Sequence, residues 1–150
     1  MTILVLNGPN LNLLGKREPE LYGDKSFTAL LEHIRRYAAS KGHRTVCFQS
    51  NREGALIEAI QQFSAMADGI IINAGAYTHT SVGLRDALLS VGLPAVEVHI
   101  TDTEKREDFR KISYLRDACV ATVAGEGTNG YLHAMDILNG YWEEKNESHH

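Results

Sequence analysis

Glu97, Val98 and His99 place a carboxylate and an imidazole two positions apart in an apolar stretch of the chain. Alternate side chains of a β-strand point to the same face, so Glu97 and His99 would lie side by side. A carboxylate that orients a histidine is a common arrangement for general acid–base catalysis. The alternative is a solvated strand end or a buried pair satisfied by hydrogen bonds. A central parallel strand is normally apolar on both faces, so the pair needs a reason, and the pattern alone leaves both interpretations open.

The loop after the first apolar run carries a guanidinium at Arg17 and a phenol at Tyr22. A phenol has a pKa of about 10, and a base that works near neutrality needs it lowered by about 3 units, or about 4 kcal/mol. One guanidinium at about 4 Å, in a medium of effective dielectric constant about 20, supplies roughly that energy. Arg17 and Arg110 are the two candidates, although Arg110 could instead pair with the acids of residues 104–108. A tyrosine that packs its ring under the loop is the commoner alternative.

Residues 73–81, with the sequence NAGAYTHTS, lead from an apolar run into a predicted helix. Thr80 or Ser81 would cap that helix, which places His79 just before a helix N-terminus, where free amides favour anions. The alternative is a capping turn with an incidental surface histidine. Asp86, five residues after Ser81, has the pattern of a solvated helix charge.

Short apolar runs alternate with longer amphipathic segments, which predicts alternating strands and helices. The predicted strands are residues 3–6, 45–49, 69–72, 95–100 and 118–124. The predicted helices are residues 26–41, 54–67, 81–91 and 130–141, with a short one at 104–110. Five such repeats in one domain predict an α/β fold with a parallel sheet and helices on both faces.

In such a sheet, ligands bind beyond the carboxyl ends of the strands. The residues at or just past the predicted carboxyl ends are strongly polar: Asn7, Asn10, Gln49, Ser50, Asn51, Asn73, Glu97, His99, Thr101 and Glu126. The opposite ends hold single polar residues rather than clusters. The sequence therefore predicts a functional site along the carboxyl edge of the sheet.

The composition is ordinary for a globular protein of 150 residues, with 43% hydrophobic and 23% charged residues. We expect one catalytic domain over residues 1–142 and a disordered polar tail over residues 143–150. A formal net charge of −4 without a basic run argues against nucleic-acid binding, and the apolar runs are too short to span a membrane. Cys47 and Cys119 lack metal or redox spacing, which is typical of reduced cysteines in a cytoplasmic protein.

The sequence also lacks the usual signatures of bound groups. No GxGxxG or Walker sequence follows a predicted strand, and no histidine stands in an HExxH motif or beside a cysteine pair. The lysines all fall in polar segments, where nothing would depress a pKa for Schiff-base chemistry. We therefore expect neither a metal nor a cofactor.

Five motifs together resemble those of the type II 3-dehydroquinate dehydratases, lyases of the shikimate pathway. They are LNGPNLNLLGKREPELYG at 6–23, FQSNREG at 48–54, INAGAYTHTS at 72–81, GLRDALL at 83–89 and EVHIT at 97–101. The resemblance extends to about Tyr141 and implies a flavodoxin-like, doubly wound, five-stranded parallel sheet in three α/β/α layers. The chain departs from the family at Asp102, where asparagine is usual, and this adds a negative charge near a carboxylate-binding loop.

The resemblance implies catalytic roles for residues that match the family motifs. It assigns the base to Tyr22 and the general acid to His99. It assigns the transition-state arginine to Arg17 and places Asn10 where an asparagine holds the enolate through water. Glu97 would support His99.

The resemblance also implies a set of residues that bind the substrate's carboxylate and hydroxyls. These are Asn73, His79 and Arg110, with the backbone amides of Ile100 and Thr101 as a carboxylate cradle. Asp86 matches an aspartate that reaches the site of a neighbouring subunit. The implied assembly is a homo-oligomer of trimers, usually a dodecamer.

The implied reaction is a cofactor-free anti elimination of water from 3-dehydroquinate through an enolate, which serves aromatic amino acid biosynthesis and also quinate breakdown. Two other classes of protein share the scaffold. A flavodoxin-like electron carrier would bind FMN, but the first loop lacks the Ser/Thr-rich phosphate cradle that it would need. A non-catalytic sensor of a polyhydroxy acid is less economical, because it gives Tyr22 and His99 no chemical task.

Overall fold

A computed structural model of the chain describes residues 1–16, 20 and 25–148. Five parallel strands form one sheet in the order β2-β1-β3-β4-β5. They are β1 (Thr2–Asn7), β2 (Arg44–Gln49), β3 (Gly69–Asn73), β4 (Ala95–His99) and β5 (Ala121–Ala124). The described residues contain the α-helices α1 (Phe27–Ser40), α2 (Glu53–Phe63), α3 (Val82–Val91) and α4 (Asn129–Glu147). The predicted doubly wound α/β fold is confirmed, with the flavodoxin-like strand order.

Two apolar cores, one on each face of the sheet, follow from the alternation of side chains along the strands. On β1, Ile3 and Val5 pack into the core shared with α1 and α4, whereas Leu4 and Leu6 pack into the core shared with α2 and α3. All four side chains are fully buried. Helices therefore cover both faces, as continuously apolar parallel strands require.

Two segments before β5 differ from the prediction. Residues 104–110, predicted as one short helix, form parts of two separate 3-10 turns, Thr103–Lys105 and Asp108–Lys111. The strand predicted from residue 118 begins at Ala121, because Arg116–Ala118 form another 3-10 turn. These short turns bring side chains from beyond β4 back over the end of the sheet.

The C-terminal helix also differs from the prediction. Residues 143–147, expected to belong to a disordered tail, continue α4 as far as Glu147. The indole N–H of Trp142 donates to the carbonyl of Asp68 at 2.9 Å, which fixes the helix to the start of β3. Residues 149 and 150 lie outside the described part of the chain. Within the described part, no helix is long and apolar enough to cross a membrane.

The carboxyl ends of β1 and β3 lie in very close contact. The N–H of Gly8 donates to the carbonyl of Asn73 at 2.8 Å. A Cβ at position 8 would lie only 2.3 Å from the carbonyl oxygen of Ala74. Glycine is therefore required at this position because two loop backbones approach each other there.

Candidate active site

A pocket opens at the carboxyl edge of the sheet, between the loops that follow β1, β3 and β4. Seven residues singled out in the sequence line it: Asn10, Asn73, His79, His99, Ile100, Thr101 and Arg110. Leu11 and Leu14 add an apolar wall, while Thr103 and Arg106 add polar groups from the first 3-10 turn after β4. The predicted location of the site is therefore where the fold places a pocket.

Two other predicted residues, Glu97 and Asp86, are described by the structure but do not line this pocket. Glu97 is fully buried beside it, one contact behind His99. Asp86 is exposed on α3 and is not a lining residue of its own chain's pocket. Arg17 and Tyr22 lie outside the described residues, so their roles stay predictions.

Glu97 and His99 form a close buried pair. His99 Nε2 lies 2.5 Å from Glu97 Oε2, with the Glu97 side chain fully buried and that of His99 7% exposed. Strand alternation accounts for the pairing, since the two residues are on the same face of β4. Glu97 also accepts from Ser113 Oγ at 2.8 Å and from Thr122 Oγ1 at 3.2 Å. Thr122 is opposite Glu97 in the β4–β5 register.

These contacts determine the charge of Glu97. Burial alone raises the pKa of Glu97, but the hydrogen bond and charge of His99, the Ser113 hydroxyl and the Arg116 guanidinium outweigh it. The net effect lowers the Glu97 pKa below its ordinary value, so the carboxylate is ionised at neutral pH. Arg116 Nε is 3.9 Å from Glu97 Oε1 and acts as the more distant of these partners.

His79 differs from His99 in its hydrogen-bond partner. His79 Nδ1 donates to the carbonyl of Ile112 at 2.6 Å. Burial lowers the pKa of His79; the bond to Ile112 opposes this, while the charges of His99 and Arg110 add to it. The net lowering favours a neutral ring at neutral pH. A carbonyl can only accept, so the Nδ1 proton leaves Nε2 as a hydrogen-bond acceptor.

A buried chain of hydrogen bonds orients Asn73. The N–H of Gly75 donates to Asn73 Oδ1 at 3.2 Å, and Asn73 Nδ2 donates to the Tyr131 hydroxyl at 2.9 Å. That hydroxyl donates in turn to Asn7 Oδ1 at 2.5 Å. Since the Gly75 amide can only donate, the Asn73 amide has one orientation and offers its remaining Nδ2 hydrogen as a donor. Asn7 Nδ2 is buried without a hydrogen-bond partner among the described residues.

The loop after β1 is held by backbone conformation and by β2. Asn10 has a left-handed backbone (φ 70°), which asparagine tolerates better than most residues. Its N–H donates to Asn51 Oδ1 at 3.0 Å, and Gln49 Nε2 donates to the carbonyl of Gly8 at 3.2 Å. The ends of β1 and β2 therefore fix Asn10 at the pocket wall.

Among the described residues, two arginines give the pocket a cationic side. Arg110 donates through Nε to Glu107 Oε2 at 2.8 Å and lies over the ring of Phe109. Arg110 therefore pairs with a nearby acid, as the sequence suggested, and its side chain lines the pocket as well. Arg106, with a side chain 13% exposed, also lines the pocket. An anionic ligand fits this side of the pocket electrostatically.

Sequence reasoning missed Arg106, Thr103, Ser113, Thr122 and Tyr131. Arg106 and Thr103 belong to a charged loop, where no regular spacing in the sequence distinguishes a side chain that lines the pocket from one that is exposed to solvent. Ser113 and Tyr131 are recognised only by tertiary contacts from distant elements. Thr122 could have been found, because its polar side chain interrupts the apolar run of the fifth predicted strand.

The carboxylate of Asp102 does not line the pocket. It accepts from the N–H of Glu104 at 3.1 Å and caps the 3-10 turn Thr103–Lys105. The added charge at this departure from the family pattern is therefore engaged in a local turn. Among the described residues, no group of three or more His, Cys, Asp or Glu side chains could hold a metal ion.

Comparison with known proteins agrees with this geometry. The family model described as "Dehydroquinase class II" matches residues 1–139. A "Catabolic 3-dehydroquinase 2" of Aspergillus flavus is 51% identical over 148 residues, covering 96% of this chain and 99% of the relative. A "3-dehydroquinate dehydratase" of Parasynechococcus marenigrum is 51% identical over 138 residues, covering 92% and 94%. A crystal structure of a type II dehydroquinase from Butyrivibrio crossotus has a TM-score of 0.91 at 48% identity, covering 93% of this chain and 97% of that one.

Proposed function

The chain belongs to the class II dehydroquinase family, and we propose that it dehydrates 3-dehydroquinate to 3-dehydroshikimate. The observation that carries this proposal is the buried Glu97–His99 pair at the wall of a polar pocket. An ionised carboxylate behind a histidine stabilises the protonated ring, which is the form that can give a proton to a departing hydroxyl. The enzyme is thus a hydro-lyase.

The reaction uses two proton transfers on opposite faces of the substrate. Tyr22, as phenolate, removes a proton from the carbon next to the ketone and leaves an enolate. His99 then gives a proton to the hydroxyl, the carbon–oxygen bond breaks, and water departs in an anti elimination. Each transfer contributes roughly 10² to 10⁴ in rate. In this proposal the positive charge of Arg17 supports Tyr22 as the phenolate base, and Asn10 helps to hold the enolate oxygen through water.

The remaining pocket residues match the functional groups of the substrate. Asn73 offers a fixed N–H, which suits a carboxylate oxygen, and the amides of Ile100 and Thr101 form the rest of that cradle. Neutral His79 offers Nε2 as an acceptor, which suits a substrate hydroxyl. Arg110 supplies positive charge for an anionic substrate. No step requires a cofactor or metal.

We also propose that the working enzyme is a homo-oligomer of trimers, assembled into a dodecamer, in which Asp86 reaches a neighbouring pocket. Val82, Asp86 and Leu89 have the i, i+4, i+7 spacing of one helix face. Val82 is 52% exposed and Leu89 is 53% exposed, which leaves an apolar surface on α3 beside the charge. Sedimentation velocity measures the assembly directly, and a monomer at micromolar concentration would exclude it.

A cytoplasmic location is the remaining part of the proposal. Cys47 and Cys119 are both unpaired, part-buried thiols. Burial raises the pKa of Cys119 to about 12, so this cysteine is inert rather than catalytic. Thiols of this kind persist in a reducing compartment.

Ultraviolet absorbance of the enone product tests the activity when purified protein is mixed with 3-dehydroquinate. We expect product without any added cofactor, and no product at any pH would refute the proposal.

The Tyr22→Phe variant should lose turnover but still bind the substrate; retention of most activity would exclude Tyr22 as the base. Borohydride with substrate should leave the enzyme active, because no imine forms, and a modified lysine would contradict the enolate route.

A further inference from the structure

A short segment between two 3-10 turns contacts the pocket histidine His79 directly and contacts the other, His99, through Glu97. Ile112 provides the carbonyl that accepts from His79 Nδ1. The next residue, Ser113, donates its hydroxyl to Glu97 Oε2, the same oxygen that lies 2.5 Å from His99 Nε2. The position of each ring is therefore tied to one stretch of backbone far from both histidines in sequence.

The hydroxyl of Ser113 has only one hydrogen and two acceptor sites. The N–H groups of Leu115 and Arg116 both donate to Ser113 Oγ, each at 3.2 Å. With both acceptor sites occupied, Ser113 cannot accept a proton from a protonated Glu97. Its hydrogen must point to Glu97 Oε2 at 2.8 Å, so that this oxygen is held as an acceptor.

The other oxygen of Glu97 also lies beside donors. Thr122 Oγ1 donates to Glu97 Oε1 at 3.2 Å, and the guanidinium of Arg116 is near the same oxygen. A carboxylate that only accepts requires a proton on His99 Nε2, because two acceptors at 2.5 Å would repel each other. His99 Nδ1, which makes no hydrogen bond within the described residues, is then the nitrogen available to exchange a proton.

We propose that Ser113 is a positioning residue, whose hydroxyl holds Glu97 as an acceptor, keeps the proton on His99 Nε2 and so reserves His99 Nδ1 for proton transfer to the substrate. The lowered pKa of Glu97 agrees with this arrangement. On His79 the Ile112 carbonyl instead holds the proton on Nδ1, which leaves Nε2 as a hydrogen-bond acceptor. One segment thus sets two rings in opposite tautomers, one suited to acid catalysis and the other to accepting a substrate hydroxyl.

The kinetic test rests on the proposed dehydration and compares Ser113→Ala with Ser113→Thr. Loss of a hydrogen bond to an ionised group should lower kcat about tenfold or more in Ser113→Ala, while KM stays within about twofold because Ser113 does not line the pocket. Ser113→Thr keeps the hydroxyl and should recover most of kcat. Ser64→Ala is the matched control, since its hydroxyl donates to the Gln61 carbonyl at the far end of α2.

The pH profile separates a positioning role from a merely structural one. Without the Ser113 hydroxyl, the Glu97 pKa rises, so the acid limb of kcat should move to higher pH in Ser113→Ala. Among the described residues, the other titratable groups that act on this pair are His79 from the turn after β3, and Arg116 and Cys119 from the segment before β5. All three are unchanged by the substitution. An unshifted acid limb, or a loss confined to KM, would overturn the proposal.

The ring tautomer can be measured without any activity. In protein labelled with ¹⁵N-histidine, two-bond ¹H–¹⁵N correlations distinguish a protonated Nε2 from a protonated Nδ1, and His99→Gln identifies the signal. We expect His99 to carry its neutral-form proton on Nε2, and His79 on Nδ1. A His99 ring with bare Nε2 in the unmodified protein refutes the proposal even if Ser113→Ala fails to fold. Correct tautomers in a protein without dehydratase activity would instead refute only the proposed function.

Discussion

Removal of one hydroxyl, in Tyr131→Phe, should destabilise the protein and weaken the pocket together. Tyr131 is completely buried, and its hydroxyl both accepts from Asn73 and donates to Asn7. Phenylalanine keeps the ring in the core with Ala134 and Met135 but leaves two buried amide groups unpaired. The aromatic packing is unchanged, so the effect isolates the hydrogen-bond chain.

The size of the effect follows from the two lost bonds. Each buried polar group left without its hydrogen-bond partner costs about 1–3 kcal/mol. With two such groups, we expect the free energy of unfolding to fall by about 2–6 kcal/mol. Asn73 loses the partner that fixes its Nδ2, so KM for the substrate should rise while the proton transfers at His99 stay intact.

Urea unfolding at matched protein concentration measures the stability change as a shift in midpoint at constant slope. Tyr37→Phe is the control, because its hydroxyl also hydrogen-bonds across α1 and α4, to Asp136, but at an exposed site outside the pocket. We expect a much smaller shift and no change in KM for Tyr37→Phe. Equal midpoints for Tyr131→Phe and unmodified protein would refute the reasoning.

Three further predictions concern the backbone at two glycines, the thiol of Cys119 and the ring of His79. Gly8→Ala should lower the free energy of unfolding by more than about 2 kcal/mol, since its Cβ would meet the Ala74 carbonyl at 2.3 Å. Gly140→Ala, with open space inside α4, should instead raise it by about 1 kcal/mol. Equal melting temperatures for the two variants and the unmodified protein would contradict both predictions. Cys119, with its pKa raised to about 12, should resist iodoacetamide at pH 8 until urea unfolds the protein; mass spectrometry showing rapid native alkylation would contradict its burial. His79→Phe should raise KM far more than it lowers kcat in steady-state assays, and a kcat loss as large as that of His99→Gln would assign His79 to the chemistry instead.

The fold could be predicted because its signals are local. Runs such as residues 69–72 are too short for helices and too apolar for loops, and five of them alternate with amphipathic helices. The pairing of Glu97 with His99 was also predictable, because residues two apart on a strand share a face. These inferences need only the regular spacing at which side chains return to the same face of a strand or a helix.

The partners of the site could not be predicted, because they come from distant parts of the chain. Ser113 reaches Glu97 only because 3-10 turns fold the segment after β4 back over the sheet. Tyr131 reads as an ordinary core residue of a helix until Asn7 and Asn73 are seen beside it. The helical continuation beyond Tyr141 depends likewise on a tertiary contact, from Trp142 to Asp68.

The central claim is that an ionised Glu97 behind His99 supports acid catalysis in a cofactor-free dehydration. The most direct test measures initial rates of enone formation from 3-dehydroquinate for the unmodified protein and for Glu97→Gln, side by side. The amide keeps the shape of the side chain but removes its charge, so we expect kcat to fall by at least about 100-fold, with KM within a few-fold. A Glu97→Gln enzyme that turns over at the unmodified rate would contradict the claim.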